Sequence, residues 1–274
     1  MNTYKIIFTD IDGTLLDSKS QVPKKTAEFM HQLNNENNIP VVLVSARMPS
    51  GMRGIRAELG VHSPMVCYGG GYILDEKEQC IFNQTLEGDM VKELLELMQS
   101  LPEISINIYS YDNWYVYEKD KWVCQEEEIT GIQATVLEEE SVEKTGAFFE
   151  VHKFLCMGEP QKIEELEQKI KESFPVAVCR SKPTYLEIMP KQVSKGNALA
   201  VLGDYYKITR EEMVAFGDGE NDIEMIQYAG KGVAMANGVR MLKEAADSIT
   251  LSNDEEGIRV YLEKGNPSSA FCVY

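Results

Sequence analysis

Two aspartates follow an apolar run near the start of the chain. Asp10 and Asp12 come directly after residues 4–9, whose apolar and β-branched side chains are typical of a strand buried on both faces. Two carboxylates this close together repel each other, which raises the pKa of one of them. A hard divalent cation relieves that repulsion, and oxygen ligands suit Mg²⁺. The pair therefore indicates a magnesium site beyond the end of a strand.

Two other interpretations of this segment are a calcium-binding loop and a plain turn. A calcium-binding loop that starts at Asp10 needs glycine at its sixth position and glutamate at its twelfth. The sequence instead has Gly13 at the fourth position and Gln21 at the twelfth, which argues against calcium. Aspartate and glycine are also common in plain turns, and this alternative stays open for the segment taken alone.

A second acidic cluster follows another short apolar run. Val214–Phe216 is predicted to be a strand, and the segment after it carries Asp218, Asn221 and Asp222. Ligands in open parallel sheets bind beyond the carboxyl ends of the strands, so both acidic clusters can meet at one edge. If Asp10, Asp12, Asp218 and Asp222 meet there, positive charge must offset their four negative charges.

Two further side chains lie between these clusters in the sequence. Ser45 follows the apolar run Val41–Val44, and Lys195 precedes a predicted helix over 198–206. A hydroxyl, an ammonium group and exposed backbone N–H groups are what a phosphoryl group requires. Taken alone, Lys195 reads as a solvated lysine at a helix start, because lysine is usually a surface residue. A carboxylate nucleophile can split phosphate hydrolysis into two displacement steps.

The elements that must position these residues alternate between strand and helix at both ends of the chain. This alternation predicts a parallel α/β sheet. In the middle, alternating side chains over 104–108 and a turn at Asp112-Asn113 predict a hairpin, which is typical of antiparallel sheets. We therefore expect an α/β core of residues 1–82 and 188–274, with an α+β unit of residues 83–187 inserted into it.

Composition limits the partners of the chain. Lys and Arg number 27 against 44 Asp and Glu, which gives a net charge of −17 over 274 residues. Such a charge repels nucleic acid overall, and no apolar run approaches the roughly 20 residues that cross a bilayer.

The N-terminal residues show no secretion signal, so a cytoplasmic location is expected. The acidic runs Glu126–Glu128 and Glu138–Glu140 are interpreted as a solvated face or loop.

Four motifs in this order resemble those of phosphatases of the haloacid dehalogenase superfamily, specifically the Cof-type branch. They are Asp10-Ile11-Asp12-Gly13-Thr14, then Ser45-Ala46-Arg47, then Lys195 within Val193–Leu199, and finally Gly217-Asp218-Gly219-Glu220-Asn221-Asp222. The segment Gly232–Asn237 also resembles the loop that follows in that family. The resemblance covers nearly the whole chain and implies a Rossmann-like parallel core with an inserted α+β cap.

The resemblance also implies a role for each motif residue. Asp10 becomes an aspartyl phosphate, while Asp12 protonates the leaving alkoxide and then activates water. Mg²⁺ is held by Asp10, Asp218 and the backbone carbonyl of Asp12, with Asn221 and Asp222 outside the metal ligands. The residues implied to hold the phosphoryl group are Asp12, Gly13, Ser45, Lys195 and Asn221.

The implied activity is Mg²⁺-dependent hydrolysis of a small phosphorylated metabolite, and a sugar phosphate is mildly favoured. A phosphomutase, or a sensor that binds a metal or phosphometabolite without turnover, remains an alternative. The presence of all the catalytic acids argues against the sensor. The sequence departs from the family at Tyr68-Gly69-Gly70, where Asn-Gly-Ala is frequent, and the effect of Tyr68 is left open.

Overall fold

The fold is that of a computed structural model, which describes residues 4–101, 103–137 and 150–265. The chain divides into two compact units. The first comprises Met1–Arg47, Met52–Phe82 and Ser194–Tyr274, and the second comprises Met48–Gly51 and Asn83–Val193. Among the described residues, no helix has the length and apolar character needed to cross a membrane.

An eight-stranded sheet forms the centre of the first unit. Its strands are β1 (Ile6–Asp10), β2 (Val41–Val44), β3 (Met65–Cys67), β4 (Tyr72–Leu74), β5 (Cys80–Asn83), β12 (Met213–Gly217), β13 (Lys231–Ala234) and β14 (Ser248–Ile249). Their order is β14-β13-β12-β1-β2-β3-β4-β5. The pairs from β14 to β3 are all parallel, and β4 runs antiparallel to β3. The predicted α/β class with a parallel sheet is confirmed.

Burial explains why these runs form central strands. Every residue of β1 and β2 is buried, as expected when helices cover both faces of a parallel sheet. Ala198, Leu199 and Leu202 belong to the same apolar cluster as Ile6 and Phe8. The helices that accompany this sheet are Lys24–Asn35, Pro49–Leu59, Lys195–Tyr206, Ile223–Tyr228, Arg240–Ala245 and Gly257–Gly265.

The second unit contains a six-stranded sheet. Its strands are β6 (Ser105–Ser110), β7 (Asn113–Val116), β8 (Thr135–Val136), β9 (Lys153–Met157), β10 (Val176–Lys182) and β11 (Tyr185–Pro190), in the order β10-β11-β9-β6-β7-β8. All pairs are antiparallel except β7 with β8. The helices are Gly88–Gln99, Lys121–Thr130 and Pro160–Ser173. The predicted hairpin is present, with Ser110 opposite Asn113.

Some features differ from the sequence-based expectation. The second unit extends to Val193, whereas the expected insertion ended at residue 187, because β11 runs to Pro190. Glu126–Glu128 lie on the half-buried to exposed part of a helix and not in a loop; the Asp120 carboxylate caps the N-terminus of this helix, and its Val123 is buried. The second acidic run, Glu138–Glu140, lies outside the described residues.

Candidate active site

Strand register brings the two acidic clusters together. Thr9 of β1 lies opposite Phe216 of β12, so Asp10 and Asp218 leave neighbouring strands at the same edge of the sheet. On the other side of β1, Asp10 is paired with Val44, and Ser45 follows directly. The carboxyl ends of three adjacent parallel strands therefore supply the first, second and fourth motifs.

Lys195 is buried between two of the acids. Its Nζ lies 2.5 Å from Oδ1 of Asp10 and 2.5 Å from Oδ1 of Asp222, and the residue is only 2% exposed. Lys195 is the first residue of its helix, which is capped by Ser194 accepting the N–H of Asn197 at 3.2 Å. The structure therefore does not place this lysine on a solvated face.

Burial shifts the pKa values of three charged groups at this centre. Burial raises the pKa of Asp10 to about 8, although Lys195 acts in the opposite direction. Burial also raises the pKa of Asp218. For Lys195, burial lowers the pKa, but the negative charges of Asp10 and Asp222 outweigh it and hold the pKa above its ordinary value. Lys195 therefore remains an ammonium ion at neutral pH.

Both carboxylate oxygens of Asp222 have partners from the protein. Oδ1 accepts from Lys195, while Oδ2 accepts the backbone N–H of Asp218 at 3.0 Å and that of Gly219 at 2.9 Å. Asp222 thus orients the lysine and fixes the loop that carries Asp218. With its oxygens already engaged, it is suited to a position outside a metal's direct ligands.

Asp218 is held by the first motif. The Thr14 hydroxyl donates to its Oδ1 at 2.6 Å. Gly13 has a φ of +81°, and a Cβ built there would lie 2.3 Å from Oδ2 of Asp218. The Gly13 carbonyl accepts from the Asn237 side-chain amide at 2.7 Å. Glycine is required here because the backbone is left-handed and the carboxylate approaches it closely.

Substituting Gly13 with alanine is expected to lower turnover at least tenfold while the protein stays folded. The new methyl group must displace the Asp218 carboxylate, because their separation is far below van der Waals contact. Steady-state assays together with circular dichroism test this. Gly54→Ala is the matched control, since a Cβ at Gly54 meets nothing within 4 Å. Full activity in Gly13→Ala would contradict this account of Gly13.

Asp12 differs from the other acids in its environment. Its side chain is 58% exposed and forms an ion pair with Arg47. Nε of Arg47 donates to Oδ2 at 2.9 Å, and Nη2 donates to Oδ1 at 2.6 Å. The exposed position of Asp12 suits a group that exchanges protons with a substrate. The buried position of Asp10 suits a group that is held in one place.

Ser45 and Asn221 complete the set of predicted residues. Ser45 is buried, and its Oγ accepts the backbone N–H of Arg47 at 3.2 Å. Its backbone is fixed by bonds with Val66 and Gly69. Asn221 is exposed, in the short turn between β12 and helix Ile223–Tyr228.

Comparison with known proteins identifies the family. The sequence-family model of the haloacid dehalogenase-like hydrolases matches residues 7–262. The chain belongs to this family. A Haemophilus influenzae relative named "Putative phosphatase" is 32% identical over 266 residues, which cover 96% of this chain and 99% of that protein. The resemblance found in the sequence is thereby confirmed.

Two further likenesses support the same assignment. A crystal structure of a haloacid dehalogenase-like hydrolase from Bacteroides thetaiotaomicron has 30% identity and a TM-score of 0.87, covering 96% of this chain and 99% of that one. A Yersinia pseudotuberculosis protein named "HMP-PP phosphatase" is 25% identical over 263 residues, covering 94% of both proteins. The predicted enzyme class, a hydrolase of the phosphatase type, is confirmed.

In this haloacid dehalogenase-like hydrolase, two of the predicted metal ligands, Asp10 and Asp218, lie in a carboxylate cluster together with Asp222. Ligand atoms of Asp10, Asp218 and Asp222 lie within 4.8 Å of one another. Asp12, predicted to offer only its backbone carbonyl, has its carboxylate turned to Arg47. Asp222 belongs to the cluster, but its hydrogen bonds to Lys195 and to the loop already engage both oxygens.

Sequence reasoning assigned no role to three residues that the structure places in this site. They are Thr14, Arg47 and Asn237, which bond to Asp218, Asp12 and Gly13 respectively. All three occur inside the segments that carry the family resemblance. Their position in those segments was the one sign of a functional role. Their hydrogen-bond partners could not be predicted, because these lie far away in the sequence.

Proposed function

We propose that this protein hydrolyses phosphate monoesters of small metabolites through an aspartyl phosphate on Asp10, with Mg²⁺ as cofactor. The observation that carries the proposal is the convergence of Asp10, Lys195, Asp218 and Asp222 beyond neighbouring strand ends. A buried carboxylate with an ammonium group at 2.5 Å is a fixed nucleophile beside a binder of anionic oxygens.

The donor set at this centre fits Mg²⁺. The carboxylates of Asp10, Asp218 and Asp222 cluster together, and the Lys195 ammonium group contacts two of them, so a divalent cation would balance the remaining charge. Burial alone disfavours the charged form of Asp10, and a cation beside it favours the carboxylate that the reaction needs. We infer that Asp10, Asp218 and the Asp12 backbone carbonyl hold the metal. When bound, Mg²⁺ supplies positive charge that offsets the negative charge of the transferring phosphoryl group.

The chain's own residues then divide the chemistry into two steps. In the first, an Asp10 oxygen forms a bond to phosphorus while the bond to the leaving oxygen breaks, and Asp12 gives that oxygen a proton. In the second, water attacks the aspartyl phosphate, Asp12 takes a proton from the water, and Asp10 is released. Lys195, Ser45, Asn221 and the backbone at Asp12-Gly13 hold the phosphoryl oxygens.

The substrate class is proposed from the relatives and the residues. The Yersinia relative's name gives a phosphorylated small molecule as its substrate, and we propose the same broad class here. Within that class we propose sugar phosphates. We further propose that the second unit, the expected cap, selects the leaving group.

Phosphate release from p-nitrophenyl phosphate tests the proposal. We expect turnover with Mg²⁺, loss of turnover in excess EDTA, and recovery when Mg²⁺ is restored. A panel of phosphorylated metabolites, ranked by kcat/KM, then identifies the substrate. Interconversion of isomers without phosphate release would indicate a mutase, and binding without turnover would indicate a sensor. Either result would overturn the hydrolase proposal.

Substituting Asp218 with asparagine should weaken Mg²⁺ binding by about tenfold or more, because the site loses one of its few charged oxygen ligands. Titration calorimetry of Mg²⁺ alone measures this without relying on activity. Asp204→Asn is the matched control, since Asp204 is exposed on helix Lys195–Tyr206. Equal Mg²⁺ affinity in Asp218→Asn and the wild type would remove Asp218 from the metal site.

A further inference from the structure

The side chain of Asp12 is fixed by one arginine. Arg47 reaches both carboxylate oxygens of Asp12 with two different nitrogens, at 2.9 and 2.6 Å. Two parallel hydrogen bonds of this kind fix the plane and direction of a carboxylate as well as its position. Both groups are partly exposed, and an ion pair of that sort contributes little to folding stability. The geometry of the pair is therefore its main consequence.

The backbone of Arg47 is itself anchored. Its N–H donates to the Ser45 hydroxyl at 3.2 Å, and its carbonyl accepts the N–H of Tyr68 at 3.1 Å. Tyr68 is fully buried, so the residue at this departure from the family pattern forms part of the core beneath the loop. The guanidinium group thus extends from a fixed point, and Asp12 receives its orientation from the strand ends of the core.

We propose that Arg47 is a positioning residue that sets the direction of the Asp12 carboxyl group for proton exchange with the leaving group. The inference rests on the proposed function. One oxygen of Asp12 gives up its hydrogen bond from Arg47 and takes up a proton from water; it then passes this proton to the leaving oxygen as the P–O bond breaks. The second hydrogen bond from Arg47 keeps the group in place. The same oxygen takes a proton from water when the new P–O bond forms.

Leaving-group dependence tests this role. Phenyl phosphate needs protonation of its leaving group more than p-nitrophenyl phosphate does, because phenolate is the stronger base. We expect Arg47→Met to lower kcat about tenfold or more for phenyl phosphate and less than about threefold for p-nitrophenyl phosphate, with KM nearly unchanged. Arg47→Lys keeps the charge but loses the two-pronged contact, so it should rescue little. Arg53→Met is the matched control, because Arg53 pairs with Glu78.

A double-mutant cycle separates positioning from direct phosphate binding. If Arg47 acts through Asp12, adding Arg47→Met to Asp12→Asn lowers kcat no further. Losses that multiply in the double variant, or a rise in KM that is equal for both esters, would overturn the proposal and assign Arg47 to the phosphoryl group. So would an unchanged kcat ratio in Arg47→Met.

Failure of the proposed function would look different. A wild-type protein without Mg²⁺-dependent phosphate release, or an Asp10→Asn variant with normal turnover, would overturn the hydrolase proposal and the Arg47 proposal with it. Normal wild-type turnover that depends on Asp10, combined with an Arg47→Met variant like the wild type, would overturn only the second.

Discussion

Replacing Lys195 with methionine is expected to remove most activity and much of the stability at once. The substitution leaves the carboxylates of Asp10 and Asp222 buried without their shared counter-ion. Breaking a buried ion pair from one side costs about 3–5 kcal/mol in the free energy of unfolding. We expect the melting temperature to fall by roughly 10 °C. We also expect kcat to fall by about 10²–10³-fold, because a charge beside the reacting group is lost.

A second variant distinguishes the electrostatic cause from simple loss of packing. Adding Asp222→Asn to Lys195→Met removes one of the two buried negative charges that have lost their counter-ion. The double variant should therefore melt at a higher temperature than Lys195→Met alone, while its activity stays low. Lys92→Met on an exposed helical position serves as the control. A Lys195→Met protein with wild-type melting temperature and turnover would contradict the assigned role of this lysine.

Asp10→Asn is expected to reduce turnover by at least about 10³-fold, since it removes the nucleophile and leaves the shape of the side chain. The amide oxygen can still accept the hydrogen bond from Lys195, so the fold should persist. Steady-state kinetics with p-nitrophenyl phosphate and thermal unfolding measure the two effects separately. Normal turnover in this variant would exclude Asp10 as the nucleophile.

Asp12→Asn provides the comparison within the same motif. It keeps Asp10 and the backbone carbonyl of residue 12, and removes only the group that moves the proton. The expected loss is roughly 10²–10⁴-fold for a poor leaving group and smaller for p-nitrophenyl phosphate. Equal losses for good and poor leaving groups would argue against Asp12 as the acid.

The parts of this fold that could be predicted are those governed by local patterns. Val41–Val44 is apolar throughout because both faces of β2 are buried, and Pro49 opens a helix because its fixed φ suits the first turn. The motif residues that follow these strands could also be placed, because parallel strands end at one edge of a sheet.

The parts that could not be predicted depend on tertiary contacts. β4 and β5 extend the first sheet as short strands of three and four residues, too short for a period to show. The helix over Lys121–Thr130 was not predicted, because its acidic residues were interpreted as a solvated face or loop. Its start depends on the Asp120 cap. The pairing of Arg47 with Asp12 joins side chains 35 positions apart, which no spacing rule describes.

The central claim is that the phosphoryl group passes through Asp10, and trapping it there is the most direct test. Rapid acid quench of the Asp12→Asn variant with labelled substrate should accumulate a phosphoenzyme, because water activation is slowed while the nucleophile is intact. Peptide mapping should place the label on Asp10, and Asp10→Asn should carry none. Label on any other residue, or on the Asp10→Asn protein, would contradict the account.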